Sequence, residues 1–413
     1  MRLVAVERGE FKAALLSAAY FFFVLCSYYV LRPIRDEMGV AGGVDNLPWL
    51  FTGTLVVMLV ANPLFAAVVA RYPVRRFIPL TYRFFGLNLL VFWAVLTLAG
   101  DAADVWVGRA FFVWLSVFNL FVVSVFWAFM ADNWNTARAK RLFGFIAVGG
   151  TLGAIVGAGV TALLAAAAGP TNLLLVSVVL LEAAVQCARR FRGSDAPAAA
   201  ALDQGPIGGG VFAGIAHVAR SPYLLGICAY MLLYTVAATV LYFQQAEIAA
   251  SQFDDRIART QFFAGIDLAV NVLTVVVQVF LTARVIAWFG VGATLAFLPA
   301  LFVVGFIGLG TWPTVAVLVA FQVLRRAGNF ALARPARETL YTVVSREDKY
   351  KAKNLIDTFV YRAGDQVGAW GYAALTATGL GLAGIAFAAA PLAALWVAVA
   401  VWLGRAQARR AMV

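Results

Sequence analysis

Long runs of apolar residues, each about twenty residues long and nearly free of charge, dominate this sequence. A run of that length crosses the roughly 30 Å hydrocarbon core of a bilayer as one helix. The chain is 63% hydrophobic and only 13% charged, so a soluble fold would lack the polar residues to cover its surface. A transmembrane barrel does not fit, because its strands alternate apolar and polar residues over about ten positions. We therefore predict an all-α integral membrane protein.

About twelve such runs divide into two groups of six. The stretch that separates them, 191–220, is rich in Ala, Gly and Pro and reads as a flexible linker. The sequence thus predicts a six-helix half at 1–190, a cytoplasmic linker at 191–220 and a second six-helix half at 221–413. Six helices plus six is the layout of the major facilitator architecture, in which the solute binds between the halves. The predicted spans are 12–40, 48–70, 77–99, 106–131, 142–168, 171–190, 221–247, 260–283, 286–309, 312–333, 353–379 and 381–404.

The charged residues predict the orientation in the membrane. If the N-terminus is inside, the basic loops and the basic tail fall on one side, and the other side keeps only Arg109, Arg256 and Arg259 among several acids. Cytoplasmic loops are enriched in Lys and Arg, so both termini are expected in the cytoplasm. The same rule explains the net charge of +12 without a nucleic acid partner. Frequent Arg and Ala suggest a GC-rich bacterial genome, and hence the bacterial inner membrane.

Few residue types that carry catalysis or bind metals are available. Cys26, Cys187 and Cys228 lie far apart inside apolar runs, and His217 is the only histidine. No metal-ligand spacing, phosphate loop or nucleophile elbow is present. We therefore expect no metal, no cofactor and no enzymatic activity, and a monomer whose partners are the lipid bilayer and a small solute.

Ionisable residues continue directly from the first apolar run. Arg32, Arg35 and Asp36 lie three to four residues apart, which places them on one face of a helix. They could belong to a solvated outer loop after a normal span. They could also form the wall of a cavity, where arginine binds a carboxylate or phosphate in a bidentate manner. The second interpretation predicts a substrate site for an anion.

Two later spans carry polar faces. Asp267 and Asn271 in the eighth span, with Gln278 beyond them, could line a cavity or form hydrogen bonds between helices. The eleventh span carries a second group. In it, Arg362 and Asp365 lie three residues apart and can form an ion pair. That pair could be purely structural or could belong to a substrate site. We predict substrate contacts from both groups. The members in the eleventh span are Asp357, Tyr361, Arg362 and Asp365.

Other charged residues within spans are candidates for coupling or gating. Glu182 is the single acid of the sixth span and could carry a coupling proton. Arg325 and Arg326 lie in the tenth span, and extension of the side chain to the cytoplasmic interface would explain at least one of them. In the fifth span, small residues at four-residue spacing predict close helix packing. These residues are Gly149, Gly153 and Gly157.

Three stretches resemble the ATP/ADP translocase family of plastids and intracellular bacteria, a divergent branch of the major facilitator group. The first, Tyr29 to Met38, is similar to that family's Arg-x-x-Lys-Asp motif, with Arg35 at the Lys position. The second is Phe126-Trp127-Ala128-Phe129 followed by Ala139-Lys140-Arg141-Leu142-Phe143. The third is Arg337-Glu338-x-x-Tyr341, Lys351-x-Lys353, Ile356-Asp357 and Arg362-x-Gly364.

The resemblance implies a substrate contact from Arg35, and we predict further contacts from Tyr29, Arg32 and Asp36 in the same motif. We also predict coupling or gating roles for charged residues in the other two motifs, which are Lys140, Arg141, Arg337 and Glu338. The sequence departs from the family at Asp365, where the family has Lys, and at Arg138, where the family has an acid. Reversed charges change which polyphosphate a site can hold.

Three functions therefore stay open at the level of sequence. The first is a secondary active transporter, exchanger or symporter, of a carboxylated or phosphorylated anion that works by alternating access. The second is the family's ATP/ADP exchange. The third is a receptor or scaffold that does not transport, for which the basic segment Arg334 to Lys353 would be the docking surface.

Overall fold

The computed structural model describes residues 10–71, 74–98, 101–134, 136–191, 218–344, 352–353 and 355–411. Helices fill nearly all of these ranges, and the described residues contain no strand. This confirms the predicted all-α fold. The first half of the chain forms α1 (Phe11–Ala41), α2 (Leu47–Arg71), α3 (Val74–Leu98), α4 (Asp101–Asn133), α5 (Thr136–Ala168) and α6 (Leu173–Arg190).

The second half begins with α7 (Pro222–Gln252), α8 (Arg256–Phe280) and α9 (Thr282–Thr311). Next, α10 (Val315–Gly328) continues through a π-helical turn, Asn329–Ala333, into α11 (Arg334–Leu340). A second π-helical turn, Ile356–Val360, opens α12 (Tyr361–Ala377), and α13 (Leu382–Ala411) ends the described chain.

Ten of the described helical segments are long and apolar enough to cross a membrane. The helices outside this set that match predicted spans are α6 and α12. Helix α6 carries Glu182, Arg189 and Arg190 within 18 residues, and α12 is 17 residues long. The chain is thus a multi-pass membrane protein, as the apolar runs predict.

Glycines mark two of the connections between long helices. Gly169 and Gly379 adopt φ values of +77° and +86°, a left-handed region that side chains with a Cβ rarely enter. Gly169 comes directly after the last residue of α5, and Gly379 comes two residues after the end of α12. The chain can therefore reverse in a short, nearly uncharged connection at both places.

The chain groups into two compact units. Unit 1 comprises Met1–Gly205 with Ala249–Leu268, and unit 2 comprises Pro206–Ile248 with Ala269–Val413. The first half of α8 therefore belongs to unit 1 although it follows the predicted linker. Of that linker, positions 192–217 lie outside the described residues. The predicted division into halves stays a prediction.

Helix α1 lies at the centre of unit 1 and packs on α4, α5 and α6. Its contact with α5 depends on the predicted glycine series. A Cβ atom on Gly149, Gly153 or Gly157 would overlap the backbone carbonyl of α1 that faces it. The carbonyls belong to Ala18, Phe22 and Cys26. The prediction that these glycines allow close helix packing is confirmed.

Unit 2 contains a comparable crossing between α7 and α12. A Cβ on Gly364 would lie 3.3 Å from the carbonyl oxygen of Leu232, and one on Gly368 would lie 3.0 Å from that of Val236. The threonines Thr235 and Thr239 fill the remaining space, closer still to the two glycines. In both units, two glycines four residues apart thus face two carbonyls four residues apart on the unit's first long helix.

A chain of buried hydroxyl groups joins three helices in the core of unit 1. The hydroxyl of Tyr20 on α1 donates to the hydroxyl of Tyr82 on α3 at 2.6 Å. Tyr82 in turn donates to the carbonyl of Val122 on α4 at 2.9 Å. Both tyrosines are at most 1% exposed, so the arrangement satisfies two polar groups inside an apolar core.

Candidate functional site

Helix α1 carries its charged residues into the interior of unit 1. The helix continues to Ala41, and Asp36 and Glu37 are 5% and 0% exposed. The interpretation of this stretch as a solvated outer loop is therefore wrong. A loop would expose its carboxylates, whereas these residues are packed as part of a helix.

Three of the predicted substrate contacts lie together, because Arg32 contacts both Tyr29 and Asp267. Its Nη1 atom lies 3.0 Å from Oδ1 of Asp267, and its guanidinium carbon lies 5.8 Å from the centre of the Tyr29 ring. The side chain of Asp267 is only 3% exposed, while that of Arg32 keeps 20%. Arg32 thus contacts a buried acid with part of its head group and remains accessible with the rest.

Arg35, one turn further along α1, is held by an aromatic ring that the sequence did not reveal. Its guanidinium lies 3.8 Å from the centre of the Phe112 ring, and Nε donates to the carbonyl of Phe112 at 3.2 Å. Nη1 lies 3.4 Å from Oδ1 of Asp36. The cation–π contact and the hydrogen bond to Phe112 fix the direction of the Arg35 side chain. That side chain keeps 18% of its surface exposed.

Glu37 binds two arginines from the start of α8. One carboxylate oxygen lies 3.2 Å from Arg256 and the other 3.2 Å from Arg259. Arg259 also donates to the carbonyls of Phe253 and Asp254 at 2.9 Å and 3.0 Å. One sequence signal could have indicated this pairing. The charge pattern places Arg256 and Arg259 on the outer side of the membrane, where arginine is disfavoured, so each needs a carboxylate partner there.

We call the residues joined by these ion pairs the α1–α8 cluster. It contains four arginines and three carboxylates and so carries a net positive charge. An arginine with free donor positions binds carboxylates and phosphates in bidentate geometry. The members are Arg32, Arg35, Asp36, Glu37, Arg256, Arg259 and Asp267.

The candidate residues of the eleventh predicted span lie in unit 2. Asp365 accepts a hydrogen bond from Thr239 at 3.3 Å and lies 3.2 Å from Arg362. The predicted ion pair between Arg362 and Asp365 is therefore confirmed. The guanidinium of Arg362 also lies 5.8 Å from the ring centre of Tyr361.

The remaining candidates in unit 2 lie in the second π-helical turn, on α11 and on α8. Asp357, inside the second turn, lies 3.5 Å from Arg337. Glu338 pairs with Lys353 at 2.5 Å. Asn271 is 6% exposed. Gln278, further along α8, donates to the carbonyl of Phe330 at 3.3 Å, as expected for hydrogen bonding between helices.

Arg325 and Arg326 are both 8% exposed. Arg325 donates to the side-chain oxygen of Gln322 at 2.7 Å and lies 5.8 Å from the ring centre of Phe302. The expectation that one of these arginines reaches the membrane interface is wrong. A neighbouring amide and an aromatic ring accommodate Arg325 inside unit 2.

The other coupling candidates lie in unit 1. Glu182 accepts hydrogen bonds from Arg83 at 2.9 Å and 3.1 Å and from Gln186, on an exposed face. Arg141 pairs with Glu10 at 2.5 Å. The side chain of Lys140 lies outside the described residues. A coupling role for Glu182 stays a prediction.

No protein-family model and no curated protein matches the sequence. Solved structures match it over nearly the whole chain. A bacterial homologue of the iron transporter ferroportin, in an inward-facing state, is 10% identical, has a TM-score of 0.67 and covers 97% of this chain and 100% of that one. A D-xylose–proton symporter is 12% identical, with a TM-score of 0.67 and coverage of 95% and 97%.

The nucleoside transporter NupG is 11% identical, with a TM-score of 0.61 and coverage of 98% and 99%. The chain has the major facilitator fold. The six-plus-six layout inferred from the apolar runs agrees with this fold. At identities this low, the major facilitator likeness describes architecture, and any solute has to be argued from the residues themselves.

Proposed function

We propose that the chain is a secondary active transporter that moves an anionic solute by alternating access. The major facilitator fold supports transport, since solved structures of that fold include a nucleoside transporter and a D-xylose–proton symporter. The observation that carries the anionic solute is the pair Arg32 and Arg35. Both lie within one turn of a membrane-spanning helix, and both keep about a fifth of their side chains accessible.

Charged residues inside a span are costly and are retained where they face a cavity or a partner. Arg32 lies 3.0 Å from Asp267 and Arg35 lies 3.4 Å from Asp36, and a guanidinium has five N–H donors, more than one carboxylate uses in bidentate geometry. The α1–α8 cluster is also positive overall. A cationic or neutral solute would gain nothing from that charge, whereas a carboxylate or phosphate would offset it.

ATP/ADP exchange is the alternative, and the three motifs that resemble the translocase family favour it. Asp365 argues for a different anion, since it places a carboxylate beside Arg362 where that family has a lysine. We further propose that the protein acts as a monomer in the bacterial inner membrane with both termini in the cytoplasm. A C-terminal fusion to a fluorescent protein that matures only in the cytoplasm tests this orientation.

The decisive experiment measures thermal stabilisation of the detergent-purified protein by sulfate, malate, ADP and ATP. A ligand at about 100 times its Kd stabilises the folded state by about 2.7 kcal/mol. We expect at least one of these anions to raise the melting temperature and Arg35→Ala to abolish that rise. Arg284→Ala, which removes an exposed arginine at the start of α9, is the matched control and should respond like the wild type.

Uptake into proteoliposomes then separates transport from binding alone. The anion that stabilises the protein should be accumulated by the wild type and not by Arg35→Ala. If it binds but is not moved, the scaffold hypothesis gains support, and variants of the segment Arg334 to Lys353 would then be tested for loss of a partner. Stabilisation by nucleotides alone would favour ATP/ADP exchange.

A further inference from the structure

Helix α7 carries a pair of polar side chains near its C-terminal end, within unit 2. Gln244 and Glu247 lie three residues apart and therefore share one face of the helix. The amide nitrogen of Gln244 donates to the carbonyl of Leu382, at the start of α13, at 2.9 Å. The hydroxyl of Tyr372 on α12 donates to the carboxylate of Glu247. Both side chains thus lie against neighbouring helices of the same unit.

The side-chain oxygen of Gln244 is a buried acceptor. The residue is 0% exposed, and this oxygen has no hydrogen-bond partner among the described residues. The carbonyl of Leu382 can only accept, so the amide must turn its nitrogen towards that carbonyl and its oxygen the other way. A buried acceptor without a partner is unfavourable. The geometry therefore calls for a positively charged or hydrogen-donating group beside this oxygen.

Glu247 supplies a negative charge at the same place. It is partly buried and forms an ion pair with no arginine or lysine in the part of the chain that the structure describes. Glu37, near the end of α1 in unit 1, is by contrast bound by two arginines. The hydroxyl of Tyr372 orients the carboxylate of Glu247 but cannot neutralise it. A carboxylate within a span is costly unless a partner offsets its charge.

The chemistry of these oxygens favours a metal cation with a single positive charge. Carboxylate and amide oxygens are the ligands of hard cations. One carboxylate balances one positive charge, whereas Ca²⁺ takes six to eight oxygens, typically from several carboxylates. Among the described residues, no group of three or more His, Cys, Asp and Glu side chains could hold a metal ion. A site with one carboxylate and one amide oxygen suits Na⁺ better than a divalent or transition metal.

We infer that unit 2 binds one sodium ion at Gln244 and Glu247. The ion contacts the amide oxygen of Gln244 and the carboxylate of Glu247, and water completes its coordination. Tyr372 is a positioning residue, because its hydrogen bond fixes the direction of the carboxylate. All three residues belong to unit 2, so the inference does not depend on the proposed anion site in unit 1.

The test measures binding of radioactive sodium to the detergent-purified protein by scintillation proximity, with choline chloride keeping the ionic strength constant. The wild type should bind Na⁺ saturably. Glu247→Gln should weaken this binding by more than about tenfold, because loss of groups that only orient metal ligands already costs about 10–100-fold. Asp254→Asn removes an exposed carboxylate shortly after α7 and is the control, which should bind Na⁺ like the wild type.

Gln244→Lys provides a second variant. It places an ammonium group three residues from Glu247 on the same helix face, where it can take the place of the ion. Binding of Na⁺ should be lost, while the melting temperature in choline chloride should reach that of the wild type in sodium chloride. If Glu247→Gln does not fold, this variant and the wild type still decide.

Lack of saturable Na⁺ binding by the wild type would overturn the inference, and so would equal binding by the wild type and Glu247→Gln. Tighter binding of Ca²⁺ than of Na⁺ would contradict a site with a single carboxylate. A melting temperature that rises as the pH falls but does not respond to Na⁺ would show that a proton shared between Glu247 and Gln244 replaces the ion, which would also overturn the inference.

Discussion

The carboxylate of Glu37, whose side chain is fully buried, lies 3.2 Å from the guanidinium of Arg259, a residue more than two hundred positions away in the chain. Arg256 contacts the other oxygen. The arrangement ties the end of α1 to the start of α8 within unit 1. It places two positive charges around one negative charge where water has little access.

Glu37→Gln should therefore destabilise the protein strongly. The amide keeps the shape of the side chain but leaves two arginines without their carboxylate, a change that costs about 3–5 kcal/mol for buried pairs. Glu338→Gln is the matched control, because its pair with Lys353 is far more exposed than Glu37, so its loss should cost only about 1 kcal/mol. The measurement is thermal unfolding in detergent, and equal melting temperatures for the two variants would contradict this prediction.

Gly153→Ala should prevent close packing of α1 on α5. The added methyl group meets the backbone carbonyl of Phe22, which cannot move aside as a flexible side chain would. We expect a loss of about 1–3 kcal/mol or more, up to failure to fold. In the same helix, Gly144→Ala meets nothing within 4 Å and should be neutral or stabilising by about 0.5–1 kcal/mol. Yields and melting temperatures after size-exclusion chromatography check the opposite signs.

The two buried tyrosines should respond unequally to loss of the hydroxyl group. Tyr82 donates to a carbonyl, so Tyr20 must be the donor in the bond between them. Tyr20→Phe leaves Tyr82 with its acceptor and should cost about 1 kcal/mol. Tyr82→Phe leaves the Tyr20 hydroxyl without an acceptor and should cost about 2–3 kcal/mol. A larger loss of stability in Tyr20→Phe would show that the hydrogen bonds run differently.

Arg83 and Glu182 should be energetically coupled in the membrane. They pair through two hydrogen bonds on an exposed face, and an unpaired charge facing hydrocarbon is unfavourable. Arg83→Leu and Glu182→Leu should each lower the melting temperature in lipid nanodiscs, whereas the double variant should recover most of the loss. Additive losses in this double-mutant cycle would mean that the two side chains act independently.

The fold follows from the sequence more fully than the candidate site does. Apolar runs determine the spans because each must satisfy its backbone internally, and the series at Gly149 reflects a local four-residue spacing. The pair Arg362–Asp365 was predictable because both residues lie on one helix turn. By contrast, the pairings of Glu37 and Arg83 join residues far apart in the chain. The burial of Arg325 depends on Phe302, which nothing in the local sequence indicates.

The repeated glycine–carbonyl crossing allows α1 and α7 to be compared position by position. Gly153 and Gly157 face Phe22 and Cys26, and Gly364 and Gly368 face Leu232 and Val236, in nearly one register. Matching Phe22 with Leu232 sets one register for the two helices. In the register that matches Phe22 with Leu232, three charged positions of α1 have counterparts on α7. Glu37 falls on Glu247, Arg32 on Tyr242 and Arg35 on Gln245.

The two helices thus share the carboxylate and differ at the arginines. Glu247 is still engaged, since it accepts a hydrogen bond from Tyr372. The pair Arg32 and Arg35 on which the proposed anion site rests therefore has no basic counterpart at the matched positions of α7, although both units contain the helix crossing.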